Sequence, residues 1–238
     1  MNTFLFDLDG TLLPMDLEKF INGYLKHLCK KFVPMGFDQE QLVKAVWLGT
    51  DSMCKNDGTV TNCEVFWKAF GEVLGSDIRT FEPDFESFYQ NEFQSVIHYT
   101  TPSPLAKDAI SLLKSKGYHL VLATNPLFPT IATESRVKWA GLNPNDFSLI
   151  TTYETSSYCK PNPKYYEEIL QRIGKQASEC CMVGNDVSED MVTASLGIDT
   201  YLITDCIINS NKEDISAYKK GSFVDFMNFI RELPSVFI

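Results

Sequence analysis

The sequence predicts an α/β fold, in which a doubly wound parallel sheet carries an inserted all-helical domain. From about residue 103 onward, short apolar stretches alternate with amphipathic helical stretches, which indicates a parallel sheet covered on both faces. By contrast, residues 15–98 show helical periodicity only. The apolar stretch at residues 3–6 finds no strand partner in that helical block. It is therefore expected to join the later sheet, which makes the helical block an insertion.

The helical block contains recognisable helix starts. Asp16, Asp38 and Thr61 each precede an apolar pattern with helical spacing, and the last two are followed by Gln or Glu three residues later, as in a capping box. One further helix is predicted from the spacing of five residues: Phe85, Phe88, Tyr89, Phe93 and Val96.

The remainder of the chain alternates between strands and helices. Strands are predicted at 118–124, 147–151, 180–183 and 200–204. Helices are predicted from Ser103 to Gly117, over 129–140, from Asn162 to Gly174, from Ser188 to Gly197 and from Ser222 onward. We therefore expect a Rossmann-like core made of residues 1–14 and 99–238, with residues 15–98 forming a helical cap.

Composition narrows the class of protein. The chain has 238 residues, with 31 acidic and 21 basic side chains and a net charge of −10. Binding to a nucleic-acid backbone requires clustered Lys and Arg, so nucleic acid is not expected as a partner. The chain has no run of roughly 18 apolar residues and no basic, apolar leader, so neither a membrane helix nor a signal peptide is expected. Seven cysteines without regular spacing favour reduced thiols in the cytoplasm.

Polar residues follow several predicted strands, at the edge where open parallel sheets bind ligands. They are Asp7 and Asp9 after the first strand, Thr124 and Asn125 after the second, Lys160 in a later connection, and Asn185, Asp186 and Asp190 after the fourth. Carboxylates with a hydroxyl and a lysine are suited to holding Mg²⁺ and a phosphoryl group. The partner expected from this set is a small phosphate ester.

The chemistry assigns a role to each type of residue. Once Mg²⁺ and Lys160 neutralise the charge, Asp7 can attack phosphorus as a nucleophile. Asp9 can protonate the leaving oxygen and later deprotonate the hydrolytic water. The Thr124 hydroxyl and the backbone amides around Asn125 can donate to phosphoryl oxygens.

The run Asp7-Leu8-Asp9-Gly10-Thr11 on an apolar strand resembles the first motif of the haloacid dehalogenase superfamily. Thr124, Lys160 and the Gly184-Asn185-Asp186 run with Asp190 resemble its second, third and fourth motifs, in the same order. The helical insertion after the first motif is similar to the family's first cap type. The resemblance implies Asp7 as nucleophile, Asp9 as general acid and base, and Mg²⁺ bound by Asp7, Asp186 and the backbone carbonyl of Asp9.

Two departures from the family pattern bear on function. Dehalogenases of the family lack the second aspartate of the first motif, so the presence of Asp9 favours a phosphatase. The fourth motif commonly has Asp directly after Gly, where this chain has Asn185. Asp186 is then the expected metal ligand, Asn185 is a possible member of the metal's outer shell, and Asp190 is expected to orient a metal-bound water or Lys160.

Three functions are compatible with these residues. The favoured one is a phosphatase; the others are a phosphomutase on the same core and a non-catalytic phosphate-binding protein, to which only Asn185 points. The polar stretch 48–58 is a candidate substrate-reading loop, in which Lys55 or Asn56 could contact the leaving group; a solvated helix connection is the plainer interpretation.

Overall fold

The computed structural model describes residues 1–237, and its centre is one sheet of six parallel strands. The strands are β1 (Thr3–Phe6), β2 (His119–Leu122), β3 (Leu149–Ile150), β4 (Cys180–Gly184), β5 (Asp199–Ile203) and β6 (Lys219–Gly221). Their order across the sheet is β3-β2-β1-β4-β5-β6, which places the first strand in the middle. The predicted α/β fold with a doubly wound parallel sheet is confirmed.

The chain between β1 and β2 is helical, as predicted. It contains α1 (Leu17–Phe32), α2 (Gln39–Cys54), α3 (Asn62–Leu74) and α4 (Glu82–Gln90), with 3₁₀ helices at Val33–Met35, Ile78–Phe81 and Glu92–Tyr99. The side chain of Asp16 caps α1, and Thr61 and Glu64 form a complete capping box on α3. We call residues 15–98, the stretch predicted to be helical, the helical insertion.

The helical insertion begins and ends at neighbouring points. Met15 forms an antiparallel bridge with Thr100, and the Thr101 amide donates a 2.8 Å hydrogen bond to the Pro14 carbonyl. The two connecting segments therefore leave the sheet side by side.

Helices cover both faces of the sheet: α5 (Pro104–Ser115), α6 (Thr130–Trp139), α7 (Pro163–Ile173) and α8 (Phe223–Glu232). Because successive strand side chains alternate in direction, β1 contributes to two separate cores. Phe4 and Phe6 pack edge-on against Phe226 of α8, whereas Leu5 packs with Tyr165 of α7 on the opposite face. Burial on both faces is the reason that this strand reads as a continuous apolar run.

Several predicted element boundaries are wrong. The strands expected at 118–124 and 147–151 are shorter, because their ends turn into loops at the sheet edge. The helix expected from Ser188 to Gly197 is a 3₁₀ helix, Met191–Leu196, since Asp186 rather than Ser188 caps the preceding turn. Strand β6 was not predicted, because its residues are polar and partly exposed.

The helix predicted to run through residues 85–96 is broken after Gln90. Asn91 adopts a non-helical backbone, and its side-chain amide donates a 2.8 Å hydrogen bond to the Ser87 carbonyl. A short polar side chain that bonds to the preceding turn competes with helix continuation. Within residues 1–237, none of the helices is both long and apolar enough to cross a membrane.

Candidate active site

The carboxyl ends of three neighbouring strands lie level with one another. Phe6 of β1 pairs with Leu122 of β2 and with Val183 of β4, so the residues that follow these strands come together. Asp7 and Asn185 follow their strands directly, Thr124 comes two residues after β2, and all three line one cavity. The sequence-predicted meeting of these strand ends is thus present in the structure.

A buried lysine joins two of the predicted carboxylates. The Lys160 ammonium lies 2.9 Å from Oδ1 of Asp7 and 2.6 Å from Oδ1 of Asp190, and its residue is only 1% exposed. Burial alone would lower the pKa of Lys160, but the charges of Asp190 and Asp7 outweigh it and raise that pKa well above its usual value. Lys160 is therefore a permanent cation at neutral pH, positioned against Asp7.

Asp190 also shapes the turn after β4. Its second oxygen, Oδ2, accepts a 3.0 Å hydrogen bond from the Asp186 amide, while Oδ1 binds Lys160. A Cβ atom at Gly184 would collide with this carboxylate, so the glycine is required for the close approach. Burial raises the pKa of Asp190, and the adjacent Lys160 ammonium limits that rise.

The first motif is held by the fourth. The Thr11 hydroxyl lies 3.1 Å from Oδ2 of Asp7 and 2.9 Å from Oδ1 of Asn185, whose amide nitrogen donates to the Cys206 carbonyl at 2.7 Å. Gly10 has φ of +91°, and a Cβ there would strike the Asn185 side chain. Oδ1 of Asn185 therefore braces the loop that carries Asp7 and Asp9, while its amide nitrogen anchors the side chain to the loop after β5.

Thr124 and Asn125 lie beside this network. The main-chain carbonyl of Thr124 accepts hydrogen bonds from Thr151 and Tyr165, and its hydroxyl takes part in no hydrogen bond among residues 1–237. The side chain of Asn125 donates to both oxygens of Glu189 at 3.1 Å and accepts from the Lys160 amide at 3.3 Å. The Thr124 hydroxyl is thus available to a ligand, while the Asn125 side chain is engaged.

The cavity above these residues has a volume of about 720 Å³. Its lining includes Asp7, Asp9 and Asp186 at the strand ends, together with side chains of the helical insertion and of the segments that follow β2 and β3. A cavity of this size is in the range of small-molecule sites.

Comparison with known proteins shows which family the chain belongs to. The family model for haloacid dehalogenase-like hydrolases matches residues 1–196. The chain belongs to this family. The predictions of the family and of a hydrolytic enzyme are therefore confirmed, and the four motifs lie within or beside the site described above.

Relatives of this hydrolase include phosphatases and pyrophosphatases. It is 26% identical over 204 residues to a phosphoglycolate phosphatase of Colwellia psychrerythraea, covering 84% of this chain and 83% of the relative. It is 24% identical over 229 residues to the pyrophosphatase PpaX of Bacillus cereus, covering 96% and 94%. The crystal structure of a HAD phosphatase from Thermococcus onnurineus has a TM-score of 0.63 at 22% identity, covering 99% and 100%, which shows a shared fold.

The sequence did not reveal one charged partner in the haloacid dehalogenase-like site. Arg136 of α6 is buried, forms an ion pair with Oδ2 of Asp9 and lies over the Phe128 ring at 4.5 Å. Burial raises the pKa of Asp9, and the Arg136 charge opposes that rise. The helical spacing could have indicated that Arg136 is buried. It lies on the same helix face as the buried Ala132 and Ala140, which are four residues before and after it.

Glu189 is a further cavity-lining carboxylate that the sequence did not single out. It lines the cavity beside Asn125, and burial raises its pKa to about 8. The Tyr166 hydroxyl donates a 2.7 Å hydrogen bond to its main-chain carbonyl. Its position in the sequence, directly before Asp190 and three residues after Asp186, could have indicated that it lies near the site.

The residues present fit the magnesium ion that the family resemblance implies. Oδ1 of Asp186 accepts from the amides of Ser188 and Glu189, whereas its Oδ2 takes part in no hydrogen bond within residues 1–237. In that same part of the chain, no three His, Cys, Asp or Glu side chains cluster so as to hold a metal. The implied set needs only the two side chains Asp7 and Asp186, with a backbone oxygen and water. Such an all-oxygen set is what Mg²⁺ prefers.

The hypothesis that Lys55 or Asn56 in the stretch 48–58 contacts the leaving group is wrong, although Thr50 of that stretch lines the cavity. Most of 48–58 is helical, because α2 continues to Cys54. Lys55 forms an exposed ion pair with Asp51 at 2.7 Å, and Asn56 is buried and bonded to Val60 and Asn62. Neither Lys55 nor Asn56 lines the cavity. Asn56 instead fixes the start of α3.

Proposed function

We propose that the protein is a magnesium-dependent phosphatase that cleaves a small phosphorylated metabolite through an aspartyl-phosphate on Asp7. One observation carries the proposal: the Asp7 carboxylate borders the cavity and is held 2.9 Å from a buried ammonium. A buried carboxylate whose negative charge is compensated can approach an anionic phosphoryl group.

The charges of the site support this role for Asp7. A phosphate ester repels a carboxylate nucleophile unless cations offset both charges. Lys160 supplies a fixed positive charge, and Asp190 holds it in position through a 2.6 Å ion pair. In this proposal Asp190 is a positioning residue, and Asn185 has the same function for the loop of Asp7.

Asp9 is proposed as the general acid and base. Burial raises its pKa, which favours a carboxyl able to carry a proton to the leaving oxygen. Its Oδ1 is buried and lacks a hydrogen-bond partner among the described residues, so one oxygen is uncommitted while Arg136 binds the other.

Asp7, Asp186 and the main-chain carbonyl of Asp9 are the proposed ligands of Mg²⁺. When bound, the ion would neutralise charge on the phosphoryl oxygens. The uncommitted Thr124 hydroxyl and the backbone at Asn125 are proposed to donate hydrogen bonds to the phosphoryl group, since both residues line the cavity. The named phosphatase relatives support a small phosphorylated compound as the substrate class.

The helical insertion is proposed to act as a cap. Residues 1–14 and 99–238 would form the catalytic core, and residues 15–98 would cover the cavity and exclude bulk water during turnover. Gln94 bridges the two parts, because it donates to the Ser135 hydroxyl and accepts from the Trp139 indole. A reducing, cytoplasmic location is proposed because all seven cysteines are free thiols.

The test is hydrolysis of a panel of phosphorylated metabolites with Mg²⁺, with release of inorganic phosphate as the readout. Asp7→Asn is expected to lower turnover by at least about 10³-fold, because an amide cannot act as the nucleophile. Asp51→Asn, at an exposed helical position far along the chain from the motifs, is the matched control and is expected to retain activity. Chelation of the metal is expected to stop the reaction.

The intermediate is tested directly by acid quenching during turnover and mass analysis of the peptide that contains Asp7. A phosphorylated peptide in the wild type and none in Asp7→Asn is the expected result. Near-native activity of Asp7→Asn would refute the proposal. Interconversion of sugar phosphates without release of phosphate would favour a phosphomutase, and inactivity without a metal-induced thermal shift would favour a binding protein.

A further inference from the structure

Apart from its carboxylates, the lining of the cavity is mainly apolar. Its principal side chains are Phe20, Tyr24, Trp47, Phe66, Phe70 and Phe128. The hydroxyl groups of Tyr24 and Tyr89 hydrogen-bond to each other at 3.1 Å, so these polar atoms are already satisfied within the wall. A leaving group that enters this space therefore meets mainly aromatic and aliphatic surface. The Trp67 indole N–H, which also lines the cavity and has no hydrogen-bond partner among the described residues, is one donor left for it.

The charged side chains that line the cavity are all acidic within residues 1–237. Besides the carboxylates at the strand ends, four others line it: Glu82, Glu86, Glu134 and Glu154. Glu154 accepts hydrogen bonds from the Thr130 amide and hydroxyl, and Glu134 pairs with Lys138. Glu82 and Glu86 are exposed, lie one turn apart on α4 and take part in no ion pair among the described residues.

Cations close to this cavity are occupied or lie outside its lining. Lys160 is enclosed between Asp7 and Asp190, and Arg136 is paired with Asp9. Arg79 is exposed and lies over the Trp67 ring at 5.9 Å, outside the lining residues. A second negative charge on a substrate would thus be desolvated among carboxylates without a free cation to pair with it.

We infer that the leaving group is an apolar, aromatic-sized alcohol that carries no second anionic group. This inference rests on the proposed function and specifies its substrate class. It separates this protein from what its relatives' names suggest, because 2-phosphoglycolate carries a carboxylate and pyrophosphate a second phosphate. A cationic substituent is tolerated or favoured, because Glu82 and Glu86 line the cavity and take part in no ion pair among the described residues.

A matched series of substrates tests the inference. Benzyl phosphate, 4-carboxybenzyl phosphate and 4-(aminomethyl)benzyl phosphate share size and leaving-group type but differ in charge. With Mg²⁺, we expect kcat/KM for benzyl phosphate to exceed that for the carboxy compound at least about 10-fold, mainly through KM, and the aminomethyl compound to equal or exceed benzyl phosphate. Equal or faster turnover of the carboxy compound, or of 2-phosphoglycolate, would overturn the inference and leave the proposed function intact.

Binding separates this inference from the proposed function itself. Benzylphosphonate and 4-carboxybenzylphosphonate cannot be hydrolysed, so their affinity can be measured by calorimetry even if the protein turns nothing over. Tighter binding of benzylphosphonate by at least about 5-fold supports an apolar subsite. Equal affinities, or tighter binding of 4-carboxybenzylphosphonate, would refute the inference of an apolar subsite, whatever the activity assay shows.

Charge reversal in the wall is the second test. Glu86→Lys places a cation on the cavity side of α4 and is expected to shift the ratio of kcat/KM values, carboxybenzyl over benzyl, upward by at least about 5-fold. Glu72→Lys is the matched control, since Glu72 is exposed on α3 and does not line the cavity. An unchanged ratio in Glu86→Lys, or an equal shift in both variants, would contradict a role for the acidic wall.

Discussion

Replacement of Asp190 by Ala tests the buried charge network most directly. In the wild type Lys160 is fully buried between Asp7 and Asp190, and the latter also accepts a hydrogen bond from the Asp186 amide. Loss of one partner of a buried ion pair costs about 3–5 kcal/mol, because the remaining charge is left without compensation. In the variant, Lys160 still pairs with Asp7, so we expect a cost near the lower end of this range. Loss of the hydrogen bond from the Asp186 amide adds about 1 kcal/mol.

We therefore expect Asp190→Ala to lower the free energy of unfolding by about 3–4 kcal/mol. For a chain of this length, about 2–4 °C is lost per kcal/mol, so the melting temperature is expected to fall by about 6–16 °C. Urea unfolding followed by circular dichroism and by tryptophan fluorescence at pH 8 measures the change and checks for a single transition. Asp190→Asn retains the shape of the side chain and separates loss of charge from loss of packing.

The control is an ion pair of similar length at the surface. Asp51 lies 2.7 Å from Lys55, but both side chains are more than half exposed. Because exposed pairs contribute about 0–1 kcal/mol, Asp51→Ala is expected to change stability by less than about 0.5 kcal/mol. Equal effects of Asp190→Ala and Asp51→Ala would show that burial does not set the strength of the Lys160 network, and would refute the reasoning.

Two other substitutions probe the same site. Gly184→Ala is expected to destabilise the protein by at least about 2 kcal/mol and to lower turnover, because its Cβ would strike Asp190; in Gly71→Ala the new Cβ makes only ordinary contact, and urea unfolding should show no loss. Arg136→Met is expected to cost about 3 kcal/mol, since it leaves the Asp9 carboxylate buried without its cation. Recovery of most of this stability in Arg136→Lys would support an electrostatic role, and no recovery would indicate packing against Phe128.

Much of the candidate site follows from local sequence signals. Asp7 comes directly after an apolar strand and Thr124 comes two residues after one. Parallel strands whose ends lie level bring such residues together, whatever lies between them in the chain. Gly10 and Gly184 mark places where a side chain has no room. These features depend on residues that are close in the chain and on the strands being parallel. Both can be inferred from the periodicity of the sequence.

Other features depend on how helices pack and were not predictable from local sequence. The contact of Arg136 with Asp9 requires α6 to lie at one particular rotation beside the first motif. The break after Gln90 depends on whether Asn91 bonds to the preceding turn or continues the helix. Strand β6 is held by its pairing with β5 rather than by its own residues, since Lys219 and Lys220 are exposed.

The bridge between Met15 and Thr100 has a consequence for how such proteins diversify. The chain leaves the sheet and returns to it at residues that are hydrogen-bonded to each other. The segment between them can therefore be lengthened, shortened or exchanged while only these two junctions have to be preserved. Four residues of the candidate site lie outside that segment: Asp7, Thr124, Lys160 and Asp186. If the insertion acts as the proposed cap, a lineage changes which molecules it accepts by remodelling one continuous stretch of its gene, and the proposed reactive groups stay unchanged.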